Sequence, residues 1–272
     1  MTKNRLQVLK WWLKGNKNDV SLPELIRFFF ASSYTSKADS LINRVEEDGS
    51  FWVIYFKSIK NPLYYPKEMS LTSLKQVIVE TFYKDNWHYY QIEETKVKKN
   101  DIVVDCGAAE GLFSFIVAPV CKKVYLIEPM PKFVDGLKLT FRGYNNAEII
   151  PCALSDRLGE AFMSEGGIAS SLSDDKKGRR VNVETIDELF YKKGIPVSYI
   201  KGDLEGYDFK TLVGAKCTIE KYRPKIAFTT YHDIRHSKEI MSFIASINSD
   251  YKFKTKGIYQ ETGSPVMLHA WC

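Results

Sequence analysis

The pattern of hydrophobic and polar positions changes near residue 95. Beyond it, short apolar runs typical of buried parallel strands alternate with longer amphipathic runs typical of helices. Strands are predicted at residues 102–106, 123–127, 148–152, 197–200 and 225–230, and helices at 111–120, 132–141, 185–192, 208–216 and 237–247. Two more strand-like runs, 251–255 and 266–271, follow without a helix between them. This order predicts a doubly wound α/β domain over residues 96–272, with an antiparallel edge strand.

The first 95 residues have a less regular pattern. Helices are predicted at 22–31, 36–47 and 70–82, and the aromatic, β-branched run 50–59 predicts a strand. The basic run at 9–14 contains Trp11 and Trp12 and predicts a short helix that packs on its own protein, with contact to a membrane surface as the alternative. We therefore predict a smaller, mainly helical region, 1–95, that selects an acceptor or mediates dimerisation.

Composition restricts the location of the protein more than its activity. The net charge of +6 permits an acidic partner but does not require one. The five cysteines are widely spaced and include no C-x-x-C pair, which indicates neither a disulfide framework nor a zinc site and fits a reducing compartment. No apolar run approaches the roughly 20 residues of a membrane span. We expect a cytoplasmic protein, with peripheral membrane contact and homo-oligomer formation left open.

The first crossover of the α/β domain carries the clearest candidate chemistry. A buried strand ends at Asp105, and a turn of small residues beginning at Gly107 leads into a helix. Gly107 would let a ligand approach the backbone closely. Glu128, 21 positions after Gly107, ends the neighbouring strand, where its two oxygens can accept bonds from ribose hydroxyls. Pro129 favours an extended backbone at Glu128.

Two nucleoside cofactors use this geometry. A dinucleotide needs a third glycine where this sequence has Leu112, and Glu110 would place a negative charge near its phosphates. S-adenosylmethionine has no phosphate and carries an ammonium and a sulfonium, so acidic surroundings suit it. The pattern favours S-adenosylmethionine over NAD. The structural alternative is that Asp105 caps a helix and Glu128 is a surface acid.

The region 101–272 resembles FkbM-type methyltransferases. The likeness rests on Val104-Asp105-Cys106-Gly107-Ala108 with Gly111, on residues 124–129 ending in Glu128-Pro129, on Ala153-Leu154-Ser155-Asp156, and on Ile200-Lys201-Gly202-Asp203-Leu204-Glu205-Gly206, where the family carries I-K-x-D-x-E-G. The resemblance implies a class I methyltransferase fold, which is a Rossmann-like, doubly wound seven-stranded sheet with one antiparallel strand. It also implies methylation of hydroxyl oxygens, often on sugars or natural products.

The resemblance also implies a set of cofactor-binding residues. Asp105 and Gly107 would flank the methionine part of S-adenosylmethionine, and Glu128 would bind its ribose. Leu154 and Ser155 would lie near the adenine. The complete expected set is Asp105, Gly107, Ala108, Gly111, Glu128, Pro129, Leu154, Ser155 and Asp203. The sequence departs from the family at two positions, with Ala109 where Asn is common and Gly202 in place of an aliphatic residue.

Candidate catalytic residues follow the fourth and fifth predicted strands. Transfer from a sulfonium is an in-line displacement that depends on alignment, and a sugar hydroxyl benefits from a base. We predict that His232 accepts the hydroxyl proton and that Asp203 and Glu205 orient the acceptor or the donor. The structural alternatives are a helix-start role for Glu205 and a packing role for His232. No metal ligand is assigned, although the two acids leave a divalent ion open.

A long polar stretch, 159–180, is interpreted as a loop with a short hairpin, whose residues 169–172 either close over the site or form a solvated connector.

Taken together, the motifs and the family resemblance predict an S-adenosylmethionine-dependent O-methyltransferase acting on a small-molecule or glycan hydroxyl rather than on nucleic acid. The alternatives are a nucleic-acid methyltransferase and a non-enzymatic cofactor-binding protein that kept the fold. A dehydrogenase is a more distant one.

Overall fold

The computed structural model describes residues 3–163, 172–173 and 178–272. Its helices are α1 (Lys3–Leu13), α2 (Leu22–Phe30), α3 (Tyr34–Leu41), α4 (Leu71–Phe82), α5 (Leu112–Val117), α6 (Pro131–Phe141), a π-helix (Asp187–Tyr191), α7 (Asp208–Val213), α8 (Lys216–Tyr222) and α9 (His236–Ile247). Its strands are β1 (Ile42–Asp48), β2 (Phe51–Phe56), β3 (Leu63–Pro66), β4 (Ile102–Cys106), β5 (Lys123–Ile127), β6 (Ala147–Ile150), β7 (Ala153–Leu154), β8 (Gly159–Met163), β9 (Leu172–Ser173), β10 (Arg179–Glu184), β11 (Tyr199–Gly202), β12 (Lys225–Thr229), β13 (Lys252–Lys256) and β14 (Met267–Trp271).

A seven-stranded sheet in the order β13-β14-β12-β11-β4-β5-β6 forms the centre of the fold. β4 pairs in parallel with β5 and β11, and the parallel pairing continues to β6 on one side and β12 on the other. The predicted strand-and-helix alternation and the Rossmann-like class I methyltransferase fold are confirmed. The parallel strands all end at one edge of the sheet, where ligands bind in folds of this kind.

The antiparallel strand is β14, which pairs with both β12 and β13. The edge strand β13 thus pairs antiparallel with its neighbour, as predicted, and β14, one position inside the edge, runs opposite to the other strands. Burial explains this order. β14 is apolar and almost fully buried, whereas β13 alternates Lys252, Lys254 and Lys256 with less polar residues, and lysines are common on edge strands.

The N-terminal region has four helices, α1 to α4, and a three-stranded antiparallel sheet, β1-β2-β3. The helix predicted at 36–47 is correct only as far as Leu41, since Ile42–Asp48 is strand β1. β1 pairs with β2 across the two-residue turn Gly49-Ser50, where Gly49 has φ +53°. A Gly-Ser pair between two strand-like runs is a hairpin signal, and the strand pairing overrides the helical pattern of this run.

Two apolar clusters cover the faces of the seven-stranded sheet. One is formed with α7, α8 and α9, and includes Leu212, Ile219 and Ile240. The other joins the sheet to the N-terminal region, because Ile54 of β2 and Leu74 of α4 belong to the same cluster as Phe115 of α5. The N-terminal region therefore shares a core with the sheet and is held over one of its faces.

Helix α1 packs on the protein itself, as the Trp11-Trp12 pattern predicted. The indole of Trp11 donates a hydrogen bond to the carbonyl of Gln260 (3.1 Å), and the indole of Trp12 donates to that of Val20 (2.9 Å). Among the residues that the structure describes, no helix is long and apolar enough to cross a membrane.

The polar stretch 159–180 contains the predicted hairpin. β8 pairs antiparallel with β10, and the short β9 adds to β8. Within the segment 169–172, which was predicted either to close over the site or to connect elements in solvent, Ala169, Ser170 and Ser171 lie outside the described residues.

Candidate active site

The turn after β4 is fixed by the backbone of the neighbouring strand. The amides of Gly107 and Ala108 both donate to the carbonyl of Ile127, at 3.1 and 3.0 Å. Gly107 has φ +69°, and a Cβ at this position would lie 2.2 Å from the carbonyl oxygen of Asp203. Only glycine fits such a close approach in this conformation. The turn is thus held between the ends of β5 and β11.

Gly111 is required for packing rather than for ligand contact. It has φ +79° at the start of α5, and a Cβ there would lie 2.4 Å from the side chain of Leu137 in α6. Gly111 is not among the residues that line the pocket described below. Ala109, also in this turn, has φ +46°, a conformation in which asparagine is much more common than alanine.

Glu128 is a buried carboxylate aimed at the end of the turn. One oxygen accepts a hydrogen bond from the amide of Ala109 and the other from the amide of Met130, both at 2.9 Å. Burial raises the pKa of Glu128 to about 7, against the lowering effect of the two backbone hydrogen bonds and of the Lys201 charge. Each oxygen keeps a lone pair that could accept a ribose hydroxyl.

A pocket of about 560 Å³, its open mouth included, lies between the turn and β7. This volume is typical of sites for small molecules and cofactors. Five of the expected cofactor-binding residues line it: Gly107, Glu128, Pro129, Leu154 and Asp203. Its apolar wall also includes Ile127, Phe133 and Met163, which the sequence did not single out. The lining suits a ligand with one flat apolar end and one polar end.

Asp105 and Ser155, two of the expected cofactor-binding residues, do not line this pocket. Asp105 is fully buried, with one oxygen paired with the ammonium of Lys201 (3.0 Å) and the other accepting from the hydroxyl of Ser114 (2.7 Å). Lys201 also donates to the carbonyl of Gly107 (2.8 Å). Asp105 therefore fixes the turn through Lys201, and Ser155 is buried with its hydroxyl bonded to Asp156 (3.0 Å).

The loop after β11 brings Asp203 and Glu205 to the same edge of the sheet. Asp203 accepts hydrogen bonds from the hydroxyls of Tyr90 (2.8 Å) and Thr229 (3.0 Å). Burial alone would raise the pKa of Asp203, but nearby positive charge on His88, Lys201 and His232 outweighs this effect and lowers it.

The loop that carries Glu205 is shaped by two features. Glu205 has φ +49°, and the carboxylate of Asp208 accepts from the amides of Leu204 (3.1 Å) and Gly206 (3.2 Å). Gly202, one of the two departures from the family pattern, makes room for Phe228, since a Cβ there would lie 2.2 Å from that ring. The glycine is therefore compensated by an aromatic residue on the neighbouring strand β12.

His232, after β12, lies among three carboxylates. Its Nε2 is 3.3 Å from Glu205 Oε2 and 3.8 Å from Asp203 Oδ1, and its Nδ1 is 3.4 Å from Asp208 Oδ2. Burial lowers the pKa of His232, but the interactions with Asp208, Glu205 and Asp203 outweigh it and raise the pKa to about 10. An imidazole that keeps its proton at neutral pH is a poor acceptor, so the geometry does not favour the prediction that His232 is a free general base.

A second cleft, of about 950 Å³ with its open mouth, lies on the other side of the turn. It shares Gly107, Ala109, Asp203 and Glu205 with the first pocket. Its remaining lining comes from the turn and α5 (Ala108, Glu110, Phe113), from β11 and the segment after β12 (Lys201, Tyr231), and from the N-terminal region (Ser73, Gln76, Val77, Glu80, Thr81, His88 and Tyr90). Burial raises the pKa of Glu110 to about 7. The two cavities therefore share one wall.

The comparisons with known proteins agree with this geometry. A family model for the methyltransferase FkbM domain matches residues 105–254, more than half of the chain. The chain belongs to the FkbM methyltransferase family. The comparison with curated proteins found no match.

One of the solved structures that resemble this chain shows the same fold. Methyltransferase FkbM from Methylobacillus flagellatus is 19% identical with a TM-score of 0.52, over 75% of this chain and 56% of that one. This chain thus spans little more than half the length of that protein. An rRNA methylase from Streptococcus thermophilus is 14% identical (TM-score 0.42; 64% of this chain, 87% of that one), and TYW2 from M. jannaschii in complex with AdoMet is 18% identical (TM-score 0.42; 83% and 85%).

Several site residues of this FkbM-family chain were missed by the sequence reasoning. Asp208 was interpreted only as the start of a helix, and Lys201 only as part of the I-K-x-D-x-E-G motif. His88 and Tyr90 carry no motif, and they reach the site because the N-terminal region packs over the sheet. The one available signal was the clustering of polar and aromatic residues at 86–91, next to the predicted domain boundary.

Proposed function

We propose that this protein transfers a methyl group from S-adenosylmethionine to a hydroxyl oxygen of a sugar, a glycan or a natural product. The observation that carries the proposal is the shared wall formed by Gly107, Ala109, Asp203 and Glu205, which lines both the pocket beside Glu128 and the cleft beside Tyr231. A cofactor in the pocket would present its reactive methyl group to an acceptor in the cleft.

The lining of the pocket supports S-adenosylmethionine as the donor. Glu128 offers two carboxylate oxygens to ribose hydroxyls, and Leu154 and Phe133 supply an apolar wall for adenine. The described lining residues include no lysine, arginine or histidine, so a phosphate would find no countercharge there. Asp203 and Glu205 lie where a sulfonium would gain from negative charge.

The lining of the cleft supports a carbohydrate-like acceptor. Gln76, Glu80 and His88 offer donors and acceptors for hydroxyl groups, and the rings of Tyr90 and Tyr231 offer flat apolar faces. We assign acceptor selection to the N-terminal region, because α4 and residues 88 and 90 provide about half of this lining.

The charge of the cleft argues against a nucleic-acid acceptor. Glu80, Glu110, Asp203 and Glu205 line it, and the ammonium of Lys201 is already paired with Asp105. A phosphate backbone is held mainly by lysine and arginine, and here it would meet an excess of carboxylates. The overall charge of +6 is therefore not focused on the cleft.

The proposed reaction is a single displacement. The acceptor oxygen attacks the methyl carbon, the carbon–sulfur bond breaks, and the sulfur keeps the bonding electrons as the neutral thioether of S-adenosylhomocysteine. The hydroxyl proton leaves to a carboxylate of the shared wall or to solvent. Because the methyl carbon is already activated, the main contribution of the protein is to align oxygen, carbon and sulfur.

The test is a transfer assay with methyl-labelled S-adenosylmethionine and two acceptor panels, one of sugars, oligosaccharides and glycosylated natural products, the other of RNA. We expect label in a base-stable methyl ether on a member of the first panel. Label that appears only in RNA would contradict the acceptor class. Binding of S-adenosylhomocysteine without transfer to any acceptor would favour a non-enzymatic binding protein.

A further inference from the structure

We infer that Asp203, Glu205 and His232 form a site for one divalent cation of the Mn²⁺ or Mg²⁺ class. One oxygen of each carboxylate and one imidazole nitrogen lie within 4.8 Å of one another. His232 Nε2 is 3.3 Å from the nearer oxygen of Glu205 and 3.8 Å from that of Asp203. Neighbouring ligands of an octahedral ion at about 2.1 Å lie about 3 Å apart, so an ion fits between these atoms after small side-chain movements.

His232 provides an independent indication of a ligand. Its side chain is only 10% exposed, and although carboxylates lie 3.3 and 3.4 Å from its two ring nitrogens, neither nitrogen makes a hydrogen bond of good geometry with any part of the chain that the structure describes. A buried polar group without such a bond is costly, typically by about 1–3 kcal/mol. A cation bound to Nε2 would satisfy the nitrogen that faces Asp203 and Glu205.

Asp208 lies where it would hold His232 in the orientation that this site requires once an ion is bound. Its carboxylate is fully buried and lies 3.4 Å from His232 Nδ1, on the side of the ring away from Asp203 and Glu205. The amides of Leu204 and Gly206 fix the position of that carboxylate. A carboxylate behind a histidine is the usual way to set its tautomer and direct the other nitrogen at a metal.

The donor set indicates the kind of cation. Two carboxylate oxygens and one imidazole nitrogen favour a hard or borderline ion, and three protein ligands leave further positions for water and for a substrate oxygen. This step rests on the proposed function. A cation here would bind the acceptor hydroxyl and lower its pKa, so that its proton leaves to solvent before the oxygen attacks the methyl carbon.

The experiment is a titration of the EDTA-treated, desalted protein with Mn²⁺, in which the free ion is measured by electron paramagnetic resonance and Mg²⁺ is the competitor. We expect one bound Mn²⁺ per chain. His232→Ala and Asp203→Asn should each weaken binding by at least about tenfold, and Asp208→Asn by about tenfold. His88→Ala and Asp233→Asn are the matched controls, because they alter a nearby histidine and a nearby acid outside the cluster, and they should not weaken Mn²⁺ binding.

Two results would overturn the inference. One is the absence of bound Mn²⁺ in the wild-type protein, and the other is an equal loss of affinity in His88→Ala and His232→Ala. A parallel titration with S-adenosylhomocysteine separates this inference from the proposed function. If the protein binds the nucleoside but binds no Mn²⁺, only the metal site is overturned. If it binds Mn²⁺ but not the nucleoside, the metal site is supported and the cofactor assignment is overturned.

Discussion

The two halves of the sheet edge are built on different principles. At the ends of β4 and β5, the pocket is shaped by backbone, with Gly107 in a left-handed conformation and Glu128 held by two amides. At the ends of β11 and β12, Asp203, Glu205 and His232 crowd together over a buried Asp208. In the proposed function, the first half would recognise the nucleoside by shape and hydrogen bonding, and the second would concentrate charge where a bond is broken and made.

The difference has a practical consequence. Substitutions in the backbone half should act on conformation and on cofactor affinity, and substitutions in the charged half should act on turnover.

Asp203→Asn tests the charged half. Tyr90 and Thr229 donate to different oxygens of Asp203, so asparagine keeps an acceptor for only one of them and removes the negative charge. We expect turnover to fall by about 10²–10⁴-fold and the free energy of unfolding by about 1 kcal/mol. Steady-state kinetics with the acceptor found in the transfer assay measure the change, and Asp233→Asn is the control. A loss confined to KM would show that Asp203 only helps to bind substrate.

Gly107→Ala tests the backbone half. The added Cβ meets the carbonyl of Asp203 and a left-handed φ, so we expect the free energy of unfolding to fall by about 2–4 kcal/mol and cofactor affinity to fall with it. Gly194→Ala is the matched control, because Gly194 has φ +68° but a Cβ there would meet no atom within 4 Å, and it should cost only about 1 kcal/mol. Equal effects in urea unfolding would contradict the close-approach argument.

Glu128→Gln tests the charge within the backbone half. Burial raises the pKa of Glu128 to about 7. Between the lower pKa that Glu128 has in the unfolded chain and about 7, the folded protein therefore binds a proton at Glu128 that the unfolded chain has released. Stability of the cofactor-free protein should therefore decrease as pH rises from about 5 to 7, by at most about 1.4 kcal/mol per pH unit for this group. Glu128→Gln should reduce that slope and weaken S-adenosylhomocysteine binding by about tenfold.

Glu110→Gln is the control for this prediction. The pKa of Glu110 is also raised to about 7, but its side chain lines the acceptor cleft rather than the pocket. The Glu110→Gln variant should reduce the change of stability with pH without changing the affinity for S-adenosylhomocysteine. Identical pH slopes in the wild type and in both variants would show that neither carboxyl titrates in this range.

Ala109→Asn should have the smallest effect. Ala109 has φ +46°, which asparagine tolerates better than alanine, so we expect a gain of about 0.5 kcal/mol in the free energy of unfolding. The new amide would also face the pocket and could add a hydrogen bond to the cofactor. A loss of both stability and affinity would contradict the conformational explanation of this departure from the family.

The backbone half could be predicted from the sequence because its determinants are contiguous. The run 103–111 and Glu128 lie within one strand-turn-helix-strand unit, and the family likeness added Leu154 and Asp203. The sequence did not show that Asp105 is paired with Lys201, which lies on a strand distant in sequence. Periodicity also could not place β14 inside the sheet, since that depends on which closing strand is the more apolar.

The charged half could be predicted only in part. The motif at 200–206 indicated Asp203 and Glu205, and the strand-end position indicated His232. The protonation of His232 depends on the convergence of three carboxylates, and no local pattern shows that Asp208 turns towards it. Tyr90 and His88 reach the cleft through the packing of the N-terminal region, where a strand at 42–48 replaced a predicted helix.

A crystal structure with S-adenosylhomocysteine tests the central claim most directly, because that claim concerns where two ligand spaces meet. We predict one molecule per chain, with its ribose hydroxyls bonded to Glu128, its adenine beside Leu154, and its sulfur at the wall of Gly107 and Asp203, facing the cleft of Tyr231. A sulfur that faces away from that cleft, or a protein that binds no S-adenosylhomocysteine at all, would contradict the account.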